Sequence, residues 1–134
     1  MCPPPKIVLD SNIFVGAGFN PRSSSARLIE WVREGRLRLI WHELTLAETR
    51  YQLEKIPPLD WEPVATLFRS RNELRDDLPL VDYAFIADPD DRKFAALAEK
   101  ADALLVTSDE HLLSAAAYLN VPVLTPAAAV TRFS

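Results

Sequence analysis

Ile7-Val8-Leu9-Asp10-Ser11-Asn12-Ile13-Phe14 is the stretch whose reading decides the fold. A short apolar run from Lys6 to Leu9 ends abruptly in an acid, a hydroxyl and an amide, then turns apolar again. A β-branched-rich run of this length reads as a buried strand. In open α/β sheets the groups that handle ligands stand just beyond the carboxyl ends of the strands, and Asp10 falls there. It is equally placed to cap the next helix, with Ser11 or Asn12 in support. The choice depends on how many other acids fall at equivalent places.

Working outward, Val15 to Pro21 holds two of the three glycines and reads as a helical turn followed by a loop. Ser23-Ser24-Ser25 offers caps for a helix over Ala26 to Glu34, closed by Gly35. Leu37, Leu39 and Trp41 alternate with Arg36, Arg38 and Ile40 as a second strand. A helix over Glu43 to Lys55 is stopped by Pro57-Pro58. Another, capped by Asp60 with Pro63 in its first turn, extends to Leu74. Val81 to Ile86 reads as a short strand or extended segment. Asp88 as cap and Pro89 at the first helical position open a helix whose apolar stripe is Phe94, Leu97 and Ala98. Leu104 to Thr107 is a further strand, followed by Ser108-Asp109 and a helical or irregular piece to Leu119. A strand at Val121 to Leu124 and a short helix after Pro126 complete the chain. Strands alternating with helices predict an α/β fold with a parallel sheet.

The chain has 134 residues, is 49% hydrophobic and 25% charged, and is expected to form one domain over 1–134 with 1–5 as a flexible tail. Its single cysteine, Cys2, suits a reducing compartment and is a poor nucleophile on such a tail. No stretch approaches the length of a membrane span. The net charge of −4 argues against nucleic-acid binding by bulk positive charge. It leaves room for an enzyme whose bound cations reverse the sign of an acidic site.

Two strands end alike, in Leu9-Asp10-Ser11 and in Val106-Thr107-Ser108-Asp109. Parallel strands put both ends on one sheet edge, so Asp10 and Asp109 should lie close. Carboxylates about 4 Å apart repel by roughly 4 kcal/mol at an effective dielectric of about 20, so such a pair needs a cation, a shared proton or an Arg. Leu44, Ala47, Glu48 and Tyr51 follow helical spacing, which predicts an acid within an apolar face and no basic residue at i+3 or i+4. Buried acids are usually paired or bind metal. In Asp88-Pro89-Asp90-Asp91, capping and the helix dipole account for the acids, and periodicity does not choose between Asp90 and Asp91. His42 and His111 lack metal-ligand spacing and read as surface or cap residues. An all-oxygen site selects Mg²⁺ or Mn²⁺ over zinc.

Taken in order, Leu9-Asp10-Ser11-Asn12, Glu48, Asp88-Pro89-Asp90-Asp91-Arg92-Lys93-Phe94, Thr107-Ser108-Asp109-Glu110-His111-Leu112-Leu113 and Val121-Pro122-Val123-Leu124-Thr125-Pro126 resemble a PIN-domain nuclease of the VapC-like toxin kind. The resemblance implies a three-layer fold with a parallel sheet of about five strands flanked by helices. It implies an acidic pocket of Asp10, Glu48, Asp91 and Asp109 holding Mg²⁺ or Mn²⁺, with Ser11, Asn12 and Thr107 in support. It selects Asp91 over Asp90 by position relative to Phe94 and Ala98. The implied activity is hydrolysis of RNA that releases the 3′-oxygen and leaves a 5′-phosphate, in the cytoplasm. Arg22, Arg50, Arg92 and Lys93 are candidates for steering the RNA. The implied partners are a small antitoxin and a second copy of the chain, with Trp31, Trp61 and Phe68 as exposed apolar contacts.

Two alternatives place an acid at the first strand end. A haloacid-dehalogenase-like phosphatase wants a second Asp where Asn12 stands. A receiver-like phosphoacceptor module wants a Lys beyond the last strand, and no Lys follows Leu124. Neither uses Glu48.

Overall fold

The computed structural model describes residues 3–134; the expectation for Cys2 lies outside the described residues. The elements run β1 (Lys6–Leu9), α1 (Ser11–Phe19), α2 (Ser24–Arg33), β2 (Arg38–Leu39), α3 (Glu43–Glu54), α4 (Glu62–Ala65), α5 (Arg92–Ala101), β3 (Leu104–Val106), α6 (Glu110–Ser114), β4 (Val123–Leu124) and α7 (Pro126–Phe133). Short 3₁₀ turns at Ser70–Asn72, Leu80–Tyr83, Pro89–Asp91 and Ala116–Tyr118 link them. All strand pairs are parallel, in the order β2-β1-β3-β4. The chain leaves β1 toward one side of the sheet for β2 and crosses to the other side for β3. The carboxyl ends of β1 and β3 therefore flank the switch point, where a parallel sheet opens a crevice.

Alternation along the central strands splits the core between two faces. Ile7, Leu9, Leu104 and Val106 point to one cluster, with Ile13 and Phe14 of α1, Leu28 and Val32 of α2, and Leu53 of α3. Val8 and Leu105 point to the other, with Phe94 to Ala98 of α5 and Leu112 of α6. The run Ala95-Ala96-Leu97-Ala98 is fully buried, so small side chains let α5 sit close on the sheet. Ser23 caps α2 by accepting from the Ala26 amide at 3.1 Å. Gly35 takes the left-handed turn after it, φ 82°.

Several expectations are corrected. The sheet has four strands among the described residues, not five. Val81 to Ile86 is a 3₁₀ turn leading into bends, with Tyr83 and Ile86 buried and Val81 and Phe85 outside. The helix expected up to Leu74 stops at Ala65, and Trp61 rather than Asp60 stands at its cap. The glycine-containing stretch after Phe14 is helical through Phe19, because α1 packs along α2 and α3. Gly18 faces Leu59 so closely that an added Cβ would lie 2.5 Å from Leu59 Cδ2.

Trp31, Trp61 and Phe68 are not exposed contacts. Trp31 and Trp61 are buried, and Phe68 packs its ring against Phe14, Trp41 and Trp61 at 5.7, 5.8 and 5.4 Å. With α4 only a turn long, the chain around it folds inward and spends its aromatics on the core. No helix among the described residues is long and apolar enough to cross a membrane.

Candidate active site

At the carboxyl edge of the sheet, Asp10, Glu48, Asp88, Asp90, Asp91 and Asp109 line one pocket of about 120 Å³, with Ser11, Asn12, Gln52 and Phe94. Each part arrives by a local rule. β1 ends at Leu9, and Asp10 caps α1 by accepting from the Asn12 amide at 2.8 Å. β3 ends at Val106, and Asp109 caps α6 by accepting from the His111 amide at 2.7 Å. Asp88 caps the 3₁₀ turn before α5, accepting from the Asp90 amide at 3.0 Å. Capping and site-building are thus one device here: three helix starts aim their N-terminal ends and their acids at the same crevice.

Thr107 connects the two strand ends. Its hydroxyl donates to Asp10 Oδ2 and accepts from the Asp109 amide at 2.9 Å. Ser11 and Thr49, both buried, place their hydroxyl oxygens 3.4 Å apart between α1 and α3. The Asn12 side chain belongs to an exposed residue at the rim, while its backbone amide serves Asp10.

Glu48 reaches the pocket for a reason other than the one its spacing suggests. Leu44 and Tyr51 face outward, 39% and 60% exposed, and the buried face of α3 is Thr45, Thr49 and Leu53. The inward face is rotated by one residue, about 100°, from the apolar stripe. Two threonines take the place of aliphatic residues, Thr45 bonding the His42 carbonyl and Thr49 meeting Ser11 of α1, so hydrophobicity misreads the helix. Glu48 sits at the edge of that face with its side chain 16% exposed. Its Oε1 pairs with Lys93 Nζ of α5 at 3.1 Å, and its Oε2 accepts from Gln52 Nε2 at 2.7 Å.

Burial and crowding set the electrostatics. Burial pushes the Asp10 carboxyl up to about 6 from 3.8, partly offset by the Thr107 and backbone hydrogen bonds. Burial, then the charges of Asp109, Asp88 and Asp10, push Asp91 up to about 7, against a small opposing pull from His111. Asp91 Oδ2 is buried with no hydrogen-bond partner among the described residues. A buried acceptor left unpaired is costly, and a group missing from beside it is the ordinary explanation. Ligand atoms of Asp88, Asp91 and His111 lie within 4.8 Å of one another. His111 Nδ1 is 3.7 Å from Asp91 Oδ2 and 3.6 Å from Asp109 Oδ1. The donor set, mostly carboxylate oxygen with one imidazole at the rim, fits a hard divalent cation.

Spacing alone passes over His111 as a partner of the acids. Its signal is its place two residues after Asp109, in the first turn of the helix that Asp109 caps. His42 instead caps α3, with Nδ1 accepting from the Leu44 amide at 3.1 Å. Of the four candidate basic residues, only Lys93 touches a pocket acid. Arg92 is spent on the Ile86 carbonyl at 2.9 Å. Arg50 pairs with Glu54 at 3.2 Å. Arg22 lines a separate groove between α1 and α2.

The fold is shared with solved structures. VapBC2 from Rickettsia felis, bound to a DNA fragment from its promoter, aligns at TM-score 0.63 and 14% identity over 90% of this chain and 98% of that one. PAE2754 from Pyrobaculum aerophilum aligns at TM-score 0.62 and 20% identity over 96% and 89%. FitAcB from Neisseria gonorrhoeae aligns at TM-score 0.59 and 19% identity over 90% and 97%. No curated protein matches the sequence. A family model described as PIN domain matches residues 6–111, which span both strand ends, Glu48 and the start of α5. That match sets aside the phosphatase and receiver alternatives: the chain belongs to the PIN-domain family.

Proposed function

We propose that the pocket is the active site of a Mg²⁺- or Mn²⁺-dependent endoribonuclease, and that the chain is the toxin of a toxin–antitoxin pair. The observation that carries the nuclease reading is Asp91 Oδ2, a buried oxygen without a hydrogen-bond partner among the described residues, set among carboxylates whose mutual repulsion asks for a cation. Asp10, Glu48, Asp91 and Asp109 form the acidic wall of this site, with Asp88 and His111 beside Asp91. The chemistry a divalent ion supplies when bound is Lewis-acid polarisation of the phosphodiester and a lowered water pKa.

The chain's own residues orient and discharge the site. Thr107 and the Asn12 amide fix both oxygens of Asp10, leaving its carboxylate little freedom to turn. The α6 cap fixes Asp109 in the same way. With its carboxyl at about 7, Asp91 holds a proton for much of the time near neutrality and must release it as a cation arrives. Water oxygen attacks phosphorus, the bond to the 3′-oxygen breaks, and the products carry 3′-hydroxyl and 5′-phosphate ends.

The toxin assignment is supported by the resemblance to VapC-like toxins and by the fold shared with VapBC2. A small antitoxin and a second copy of the chain are the corresponding partners. Incubation of the purified chain with single-stranded RNA tests the enzymatic claim. Cleavage with Mg²⁺ or Mn²⁺ that leaves 5′-phosphate ends and stops with a chelator is expected. Cleavage that survives the chelator would refute it. Co-expression with a neighbouring small gene tests the partner: a stable complex that suppresses cleavage is expected.

A further inference from the structure

Among the described residues, Glu48 stands apart from the other pocket carboxylates because it is the one paired with a Lys ammonium, and side chains occupy both of its oxygens. Lys93 Nζ lies 3.1 Å from Oε1, and Gln52 Nε2 lies 2.7 Å from Oε2. The ion pair is shielded, its side chains 15% and 16% exposed, which sets it apart from the solvated pairs Arg33–Glu30 and Arg50–Glu54. Among the described residues, Lys93 and His111 are the only basic side chains within ion-pairing distance of the acids lining the pocket. Lys93 lies in the first turn of α5, two residues after Asp91, so the same helix start presents an unsatisfied acid and a paired cation. The pocket is therefore divided. Around Asp91 a carboxylate oxygen has no hydrogen-bond partner among the described residues; at Glu48 the charge is already balanced by Lys93.

We propose that Lys93 is a resident cation of this site, keeping Glu48 out of divalent-ion coordination and limiting the pocket to one such ion. The inference rests on the metal-dependent reading above and goes further by assigning the number of ions. Two-ion sites hold their metals about 3.5–4 Å apart on shared carboxylates. A second ion here would need Glu48, and it would have to displace an ammonium held in place by a shielded ion pair. A Lys ammonium is a compact point charge with three donors. Glu48 takes one of them, which leaves the others for a phosphate oxygen, so Lys93 supplies positive charge beside the scissile phosphate where a second metal would otherwise supply it.

The test is a Mn²⁺ titration of the purified full chain without RNA, counting bound ions by electron paramagnetic resonance and by calorimetry. One ion per wild-type chain, two per Lys93→Met chain and one per Lys93→Arg chain are expected. Two ions on the wild type, or an unchanged count in Lys93→Met, overturns the role of Lys93 while leaving the metal-dependent reading in place. No bound ion on the wild type overturns both. Circular dichroism checks that the variants are folded, and Lys93→Gln replaces Lys93→Met if that chain does not fold. A second ion on the wild type overturns the proposal whatever the variants do.

Discussion

Thr107 donates its hydroxyl hydrogen to Asp10 Oδ2 across 97 positions of chain, and the same oxygen accepts from the Asp109 amide. One fully buried hydroxyl thus fixes the relative placement of the acids at the ends of β1 and β3. Thr107→Val keeps the shape and removes the bond. It should weaken Mn²⁺ binding by ~10–100-fold, the usual effect of losing a group behind a metal ligand. It should also cost about 1–3 kcal/mol in denaturant unfolding, because acceptor and amide lose their partner. Thr107→Ser should retain both properties.

Asp91 makes metal-free stability depend on pH. Below about pH 4 its carboxyl is neutral in folded and unfolded chains alike, and burial costs little. As pH rises from there to about 7, the unfolded chain loses this proton first, and the folded state is penalised. Asp10, pushed up to about 6, acts in the same direction. Thermal melts in chelator should therefore show Tm falling from pH 5 to pH 7.5. Asp91→Asn should flatten that slope. Mn²⁺ at ~100 times its Kd should restore about 2.7 kcal/mol to the wild type at neutral pH and markedly less to Asp91→Asn.

Phe68 sits among Phe14, Trp41 and Trp61, on the far side of the sheet from α5. Phe68→Ala should cost about 3 kcal/mol by loss of packing. The number of Mn²⁺ ions bound per folded chain should stay as in the wild type, which separates stability from the site.

The strand ends were legible because two separate signals coincide there. Short apolar runs of Ile, Val and Leu stop at Asp10 and at Thr107-Ser108-Asp109, and an acid after a buried strand must be either a cap or a ligand group. The structure makes Asp10 and Asp109 caps at the same edge, a convergence that no local pattern states. Glu48 was legible as an acid with no neighbouring base, but its face was not: Thr45 and Thr49 are buried through hydroxyl contacts that hydropathy does not register. Lys93 stood among the candidates for steering RNA, but its pairing with Glu48 escaped, as did the place of His111 beside the acids, for a different reason. A basic residue beside acids looks like ordinary surface until the fold shows what lies across from it. The short α4 and the 3₁₀ segments between Ser70 and Tyr83 were illegible because tertiary packing of Trp61, Phe68 and Tyr83 overrides the local pattern.

Asp10→Asn is the most direct measurement of whether the pocket is a metal-dependent nuclease site. Asn still caps α1 through its carbonyl oxygen, so a capping role alone would leave activity unchanged. Removing the charge also relieves repulsion with Asp109 and Asp91, so the metal-free Tm should hold or rise. Under saturating Mg²⁺ or Mn²⁺, cleavage of single-stranded RNA should fall by at least ~100-fold, more than the loss of a group behind a ligand costs. Wild-type cleavage rates from the folded Asp10→Asn chain would contradict the assignment.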